Sequence, residues 1–124
     1  MKANWANAAQ DALFAAREIK HYSRSSVSRA YFAAYSAAAY ALVQSGSVAF
    51  QAGREGPRHA DILKLIQNHL GKQLGNKKIK LVLASIRRLR QARIDADYRM
   101  SICFSSSDTL KVLQDAALVL KELL

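Results

Sequence analysis

The sequence predicts an all-α protein built as an antiparallel up-and-down bundle of four to five helices. Apolar residues recur at three- and four-residue spacing through most of the 124-residue chain, as on the buried face of a helix. Alanine, the strongest helix former, is concentrated between positions 3 and 41. The chain has one proline, and no stretch of useful length alternates as a strand does. Because 51% of the residues are hydrophobic, we expect a folded single domain over residues 1–124.

The first two predicted helices differ in how much of their surface is apolar. The first spans about residues 5–22 and has one apolar face. A serine-rich segment, residues 23–28, then provides a helix cap for the second helix, about residues 27–44. Because that helix is apolar on nearly every side, we expect it to be the central, buried helix.

Glycine, proline and serine separate the remaining helices. Residues 45–58 contain three glycines and Pro57, which predicts a loop and then a third helix at about residues 58–70. Residues 71–76 predict a second break, and a fourth helix follows at about residues 77–104. The segment 105–108 is expected to cap a fifth helix at about residues 109–123. These short connections predict antiparallel neighbours.

The charge is strongly positive and unevenly distributed. The net charge is +10, from 19 Lys and Arg against 9 Asp and Glu. Residues 71–94 contain cations but no carboxylate, and these cations are Lys72, Lys77, Lys78, Lys80, Arg87, Arg88, Arg90 and Arg93. A stripe of this kind attracts polyanions, nucleic acid above all. An acidic protein partner, or solubility alone, is the alternative explanation.

Several classes of site are not expected. Cys103 is the only cysteine, so no intrachain disulfide forms, and its apolar surroundings predict packing rather than catalysis. His21, His59 and His69 lack metal-binding spacing, so we predict neither a metal site nor another cofactor. The N-terminus lacks a signal-peptide core, and no apolar run reaches the ~20 residues that span a bilayer. We therefore expect a cytoplasmic protein with no membrane partner.

The segment 90–98 holds the most unusual charged residues. Arg93 falls at the edge of the apolar stripe of the fourth helix, and Asp97 follows four residues later on the same face. A cation beside a core needs a carboxylate, a phosphate or a subunit boundary, although a surface ion pair is the simpler explanation. Arg29 likewise interrupts the apolar second helix, and either Asp97, Asp95 or solvent would be its partner.

Two segments together resemble one protein family. Residues 28–42, Ser-Arg-Ala-Tyr-Phe-Ala-Ala-Tyr-Ser-Ala-Ala-Ala-Tyr-Ala-Leu, resemble the second helix of HEPN-domain proteins, specifically the UPF0332-like branch. Residues 90–98 resemble the fourth-helix signature of the same branch, an arginine followed by Ala-Asp-Tyr. The similarity covers about residues 9–123, with the helices in the same order.

The resemblance implies an antiparallel helical bundle that forms a homodimer. It also implies a superfamily rich in RNA-cleaving toxins, phage-defence factors and partners of minimal nucleotidyltransferases. In active members, an arginine and a histidine separated by four to six intervening residues meet their counterparts at the dimer interface and cleave RNA without metal. Arg93 matches that arginine, Tyr98 takes the place of the histidine, and Ser36 stands where this branch often has histidine.

The replacement of histidine affects the chemistry. RNA cleavage without metal needs a base, an acid and a cation for the developing phosphorane charge, and arginine suits the last role. Tyrosine, with a pKa near ~10, is a poor base at neutral pH, so Asp97 is the alternative base.

The leading hypothesis is a homodimeric, metal-independent ribonuclease-like toxin or phage-defence component that binds RNA. Its catalytic residues would be Arg93, Asp97 and Tyr98, with Arg29 and Ser36 in support. The predicted RNA-binding residues are Lys77, Lys78, Lys80, Arg87, Arg88 and Arg90. The alternative is a catalytically silent HEPN module that binds a nucleotidyltransferase-type antitoxin or another protein.

Overall fold

The computed structural model describes residues 4–46 and 57–124, and in these ranges it contains helices and no strand. The helices are α1 (Trp5–Glu18), α2 (Ser23–Gln44), α3 (Ile62–Leu74), α4 (Asn76–Tyr98) and α5 (Ser106–Leu123). A single 3-10 turn, His59–Asp61, precedes α3. The predicted all-α bundle is confirmed. None of these helices combines the length and the apolar character needed to cross a bilayer.

Helix α2 is the centre of the bundle and packs against the other four helices. Its fully buried alanines are Ala30, Ala33, Ala34, Ala37, Ala38 and Ala39. Small side chains let neighbouring helix backbones approach closely, so one alanine-rich helix can contact several partners at once. The prediction of a central helix is confirmed.

The direction of each helix follows from the contacts between elements. Helices α1 and α2 are antiparallel, as are α4 and α5. Helices α3 and α4 are also antiparallel, since the turn before α3 and the C-terminal part of α4 both contact Tyr31. Helices α2 and α3 instead run in the same direction, since His59 lies beside the middle of α2 while Leu70 lies beside Tyr40 near its end. Residues 45–58 separate α2 from the turn before α3 in the sequence. The prediction of a loop there falls largely on residues 47–56, outside the described ranges.

Helix α4 ends six residues earlier than the sequence predicted. Arg24 of α2 donates hydrogen bonds to the carbonyl oxygens at this end, those of Asp95, Ala96, Arg99, Met100 and Ile102. A cation at a helix C-terminus satisfies the last carbonyls and interacts favourably with the helix dipole. Cys103 therefore lies beyond the helix and is exposed, so the prediction that it packs on an apolar helix edge is wrong.

Other boundaries depend on local conformation. Gly71 does not break α3, which continues to Leu74 and ends at Gly75, where the positive φ of 83° favours glycine. Helix α2 begins at Ser23, four residues earlier than predicted. The cap of α5 is confirmed, since Ser105 and Asp108 form a reciprocal capping box.

Candidate functional site

Arg93 and Asp97 form an ion pair on the surface of α4. The distance from Arg93 Nε to Asp97 Oδ2 is 3.1 Å, and 31% and 33% of the two side chains are exposed. The pair is thus neither buried nor free in solvent. The predicted pairing of these two residues, one helical turn apart, is what the structure shows.

Asp97 is held by a second helix as well. Ser28 of α2 donates a hydrogen bond from its hydroxyl to Asp97 Oδ1, while Oδ2 faces Arg93. Because both carboxylate oxygens are engaged, Asp97 is suited to orienting Arg93 rather than to accepting a proton. The contact also fixes the C-terminal part of α4 against the start of α2.

Of the two alternatives that the sequence left open for Arg29, an aspartate partner or solvent, the structure shows solvent. Arg29 is exposed, and its guanidinium lies 5.5 Å from the ring centroid of Phe32 on the same helix. Within residues 4–46 and 57–124, Arg29 takes part in no ion pair. Asp95 contacts Gln91 and Arg99 instead. A supporting role for Arg29 therefore cannot rest on pairing with either aspartate.

Two tyrosine rings lie next to the Arg93 guanidinium. Its Cζ atom is 5.8 Å from the centroid of Tyr31 and 5.6 Å from that of Tyr98, within the range of cation–π attraction. Tyr31 is buried, whereas Tyr98 is 69% exposed. Arg93 therefore has a rigid aromatic neighbour towards the core and a solvent-accessible one outside.

His59 joins this group from a distant part of the chain. The hydroxyl oxygen of Tyr31 is 2.6 Å from His59 Nδ1, and Tyr35 stacks on the imidazole at a centroid distance of 4.3 Å. Tyr35 also donates a hydrogen bond of 2.6 Å to the Pro57 carbonyl, which holds the start of this turn. The described ranges contain no cluster of three or more His, Cys, Asp or Glu that could hold a metal ion. We had not assigned His59 to any site from the sequence.

The pKa values of this group favour neutral side chains. Burial of the stacked ring, reinforced by the positive charges of Arg93 and Arg90, lowers the pKa of His59. Burial raises the pKa of Tyr31, although Arg90 and Arg93 oppose that effect. Burial and the neighbouring Tyr31 raise the pKa of Tyr35 to about 12. At neutral pH the imidazole is therefore uncharged and both buried phenols keep their protons.

The predicted RNA-binding cations divide into two groups. Arg88 binds both oxygens of Asp115, and Lys78 lies 3.7 Å from Glu122, so these two join α4 to α5. The Asp115 hydrogen bond raises the pKa of Arg88. The remaining predicted cations take part in no ion pair with described residues, namely Lys77, Lys80, Arg87 and Arg90. Arg88 is thus not the free surface cation that the sequence indicated.

Three of the unpaired cations form a row that leads to Arg93. Lys80 and Arg87 are two helical turns apart, and Arg90 and Arg93 each follow at a spacing of three residues. Lys80 and Arg87 are exposed, and Arg90 is half-buried. This row, Lys80–Arg87–Arg90, gives the site one strongly positive flank.

Ser36 lies in the core rather than at the surface. It is 0% exposed, and its hydroxyl has no hydrogen-bond partner among the described residues. It cannot contact a molecule bound at the surface. Any support that Ser36 gives to the site would act through the packing of α2.

Comparison with known proteins identifies the family. A search of curated proteins gives no match. The family model described as HEPN domain matches residues 3–124, which is nearly the whole chain. Assignment to the UPF0332-like branch stays a prediction. With a matching family model over almost its full length and an all-helical fold, the chain belongs to the HEPN-domain family.

Proposed function

We propose that this protein binds RNA and cleaves it without a metal ion, as a homodimer in a toxin or phage-defence system. The observation that carries the proposal is the fixed, accessible guanidinium of Arg93. Asp97 engages its Nε, and within the described ranges its two terminal nitrogens make no hydrogen bond. An oriented guanidinium of this kind can bind a phosphate through two donors and stabilise the charge of a phosphorane.

The cation row Lys80–Arg87–Arg90 supports RNA as the ligand. It extends the positive charge along α4 away from Arg93, over a distance suited to several phosphates. Tyr98 adds an exposed aromatic ring on which a base could stack. Charge and aromatic surface therefore lie on the same flank of the helix.

A homodimer would bring two Arg93 side chains into one cleft, as the family resemblance implies. Met100, just beyond the end of α4, is 69% exposed and large enough to form an apolar contact in a two-fold interface. Light scattering at micromolar concentration should give twice the 13.7 kDa mass of the chain. A monomer under these conditions would contradict the dimeric arrangement.

The test of activity is incubation of the purified protein with a structured RNA in EDTA. We expect cleavage that leaves a 2′,3′-cyclic phosphate and a 5′-hydroxyl, and a loss of at least about 100-fold in Arg93→Ala. Arg17→Ala is the matched control, because Arg17 is exposed where α1 meets α5. Intact RNA with the unaltered protein would refute the proposal.

The second candidate function is a silent HEPN module that binds a nucleotidyltransferase-type antitoxin or another protein. It is favoured by Tyr98, which stands where active members carry the motif histidine, since residues 76–98 contain no histidine at all. Intact RNA in the cleavage assay, together with a stable complex with a co-expressed nucleotidyltransferase, is the result that this function predicts.

A further inference from the structure

We propose that His59 is the general base of the RNA cleavage reaction and accepts the 2′-hydroxyl proton of a nucleotide whose phosphate is bound by Arg93. This assignment rests on the proposed function. It gives the proton-transfer role to a residue outside the α4 motif, at the turn that precedes α3.

The geometry supplies a continuous set of contacts from the cation to the base. Arg93 lies against the ring of Tyr31, and the hydroxyl of the same tyrosine is 2.6 Å from His59 Nδ1. Stacking on Tyr35 fixes the plane of the imidazole. The side chain is otherwise exposed, so a substrate can reach it.

The contact with Tyr31 occupies Nδ1, so Nε2 is the ring nitrogen that a substrate could reach. When Nδ1 carries the proton and donates it to the Tyr31 oxygen, Nε2 keeps its lone pair and is the proton acceptor. In this tautomer one ring nitrogen is oriented by its partner and the other accepts the proton. The proposal therefore requires the Nδ1-protonated tautomer.

The charges around His59 favour a neutral ring before the reaction. Arg90 and Arg93 face it from α4, and Tyr31 and Tyr35 face it from α2. In its own turn, Arg58 and Asp61 neutralise one another at 2.8 Å. Burial and the two α4 arginines lower the pKa of the imidazole, so that at neutral pH it is in the form that accepts a proton.

The reaction step balances with groups of this site. The 2′-oxygen forms a bond to phosphorus as its proton passes to His59 Nε2, and the bond from phosphorus to the 5′-oxygen breaks. The leaving 5′-oxygen takes a proton from the Tyr98 hydroxyl, which recovers one from water, and the imidazolium releases its proton to water. The products are a 2′,3′-cyclic phosphate and a 5′-hydroxyl.

The test compares His59→Ala and His59→Gln with His69→Ala, a matched control at an exposed histidine of α3. We expect the two His59 variants to lose at least about 100-fold in kcat with KM changed by less than about threefold. Their affinity for 2′-O-methyl RNA should stay unchanged, and added imidazole should restore part of the activity of His59→Ala. Nitrogen-15 NMR of the unaltered protein should show the proton of His59 on Nδ1.

The possible results distinguish a failure of the His59 assignment from a failure of the proposed function. Cleavage by both His59 variants at the normal rate, or a proton found on Nε2 in the free protein, would overturn the assignment and leave the proposed function intact. Absence of cleavage by the unaltered protein would refute the proposed function first, and the assignment with it. His59→Gln, whose amide can still hydrogen-bond Tyr31, separates loss of the base from loss of the fold.

Discussion

Arg88 donates two hydrogen bonds to Asp115, from Nη2 to Oδ1 at 2.8 Å and from Nε to Oδ2 at 3.0 Å. This bidentate contact links the middle of α4 to α5, and the Asp115 side chain is only 18% exposed. In the sequence, Arg88 is one of eight cations in a basic stripe. In the structure it is part of the packing between α4 and α5. The neighbouring Arg87 has no such partner among the described residues.

Arg88→Glu should destabilise the fold. It removes both hydrogen bonds and sets a second carboxylate against the mostly buried Asp115, at a cost of about 1.5–3 kcal/mol. The measurement is urea unfolding, and Arg17→Glu is the control for the same change of charge at an exposed position. The double variant Arg88→Glu/Asp115→Arg should recover part of the loss. Equal stability of Arg88→Glu and the control would contradict the packing role.

Arg87→Glu should weaken RNA binding and leave the free energy of unfolding almost unchanged. Arg87 is exposed and belongs to the cation row that leads to Arg93, so its loss removes phosphate contacts. We expect a lower affinity, with the slope of log K against log salt reduced by about one. Fluorescence anisotropy at several salt concentrations measures both quantities. An affinity and slope equal to those of Arg17→Glu would show that RNA does not follow this flank.

Arg24→Met should lower the stability by about 2–3 kcal/mol. Methionine keeps most of the apolar stem of the side chain but cannot donate to the carbonyls at the end of α4. Arg24→Lys should keep part of the stability, because the ammonium retains the charge near the helix terminus. Thermal unfolding compares the two. If both variants melt like the unaltered protein, water satisfies these carbonyls equally well.

The large sequence separation between Arg24 and the carbonyl groups that it binds explains why the end of α4 was predicted wrongly. Periodicity located all five helices, because four of them bury one face and α2 buries nearly its whole surface, and the Ser105 cap was visible as a local pattern. The end of α4 was placed six residues too late, since Arg24 lies 72 positions before the Ala96 carbonyl that it binds. A tertiary hydrogen bond of this range leaves no periodic signal.

The candidate site was predictable only where its members share a helix. The spacing of Arg93 and Asp97 on α4 was enough to predict their ion pair. His59 was not identified, because its position beside Tyr31 depends on α3 running parallel to α2. The only feature of the sequence that relates to the His59 contact is the spacing of Tyr31 and Tyr35, which places both rings on one face of α2. Their histidine partner comes from a separate element.

Arg93→Met should abolish RNA cleavage with little change in stability. The ion pair with Asp97 is about two-thirds buried and contributes up to about 1 kcal/mol, which the apolar methionine side chain offsets by packing on Tyr31. Circular dichroism melts and the EDTA cleavage assay are the two measurements. A loss of about 3–5 kcal/mol would instead indicate that Arg93 and Asp97 serve as a structural pair whose separation leaves an unpaired charge.

Stability should fall with acidification through the titration of His59. The folded state holds the pKa of His59 below its ordinary value, so the unfolded chain binds a proton more readily than the folded protein. The stabilising contribution is therefore fully present above the unfolded pKa, near ~6.5, and is lost as the pH falls through and below it. Unfolding free energies at pH values between about 7.5 and 5.5 should decrease less in His59→Gln than in the unaltered protein. Arg93→Met should also show a smaller decrease, because it removes one of the charges that oppose protonation. Parallel curves for all three proteins would mean that folding does not perturb the pKa of His59.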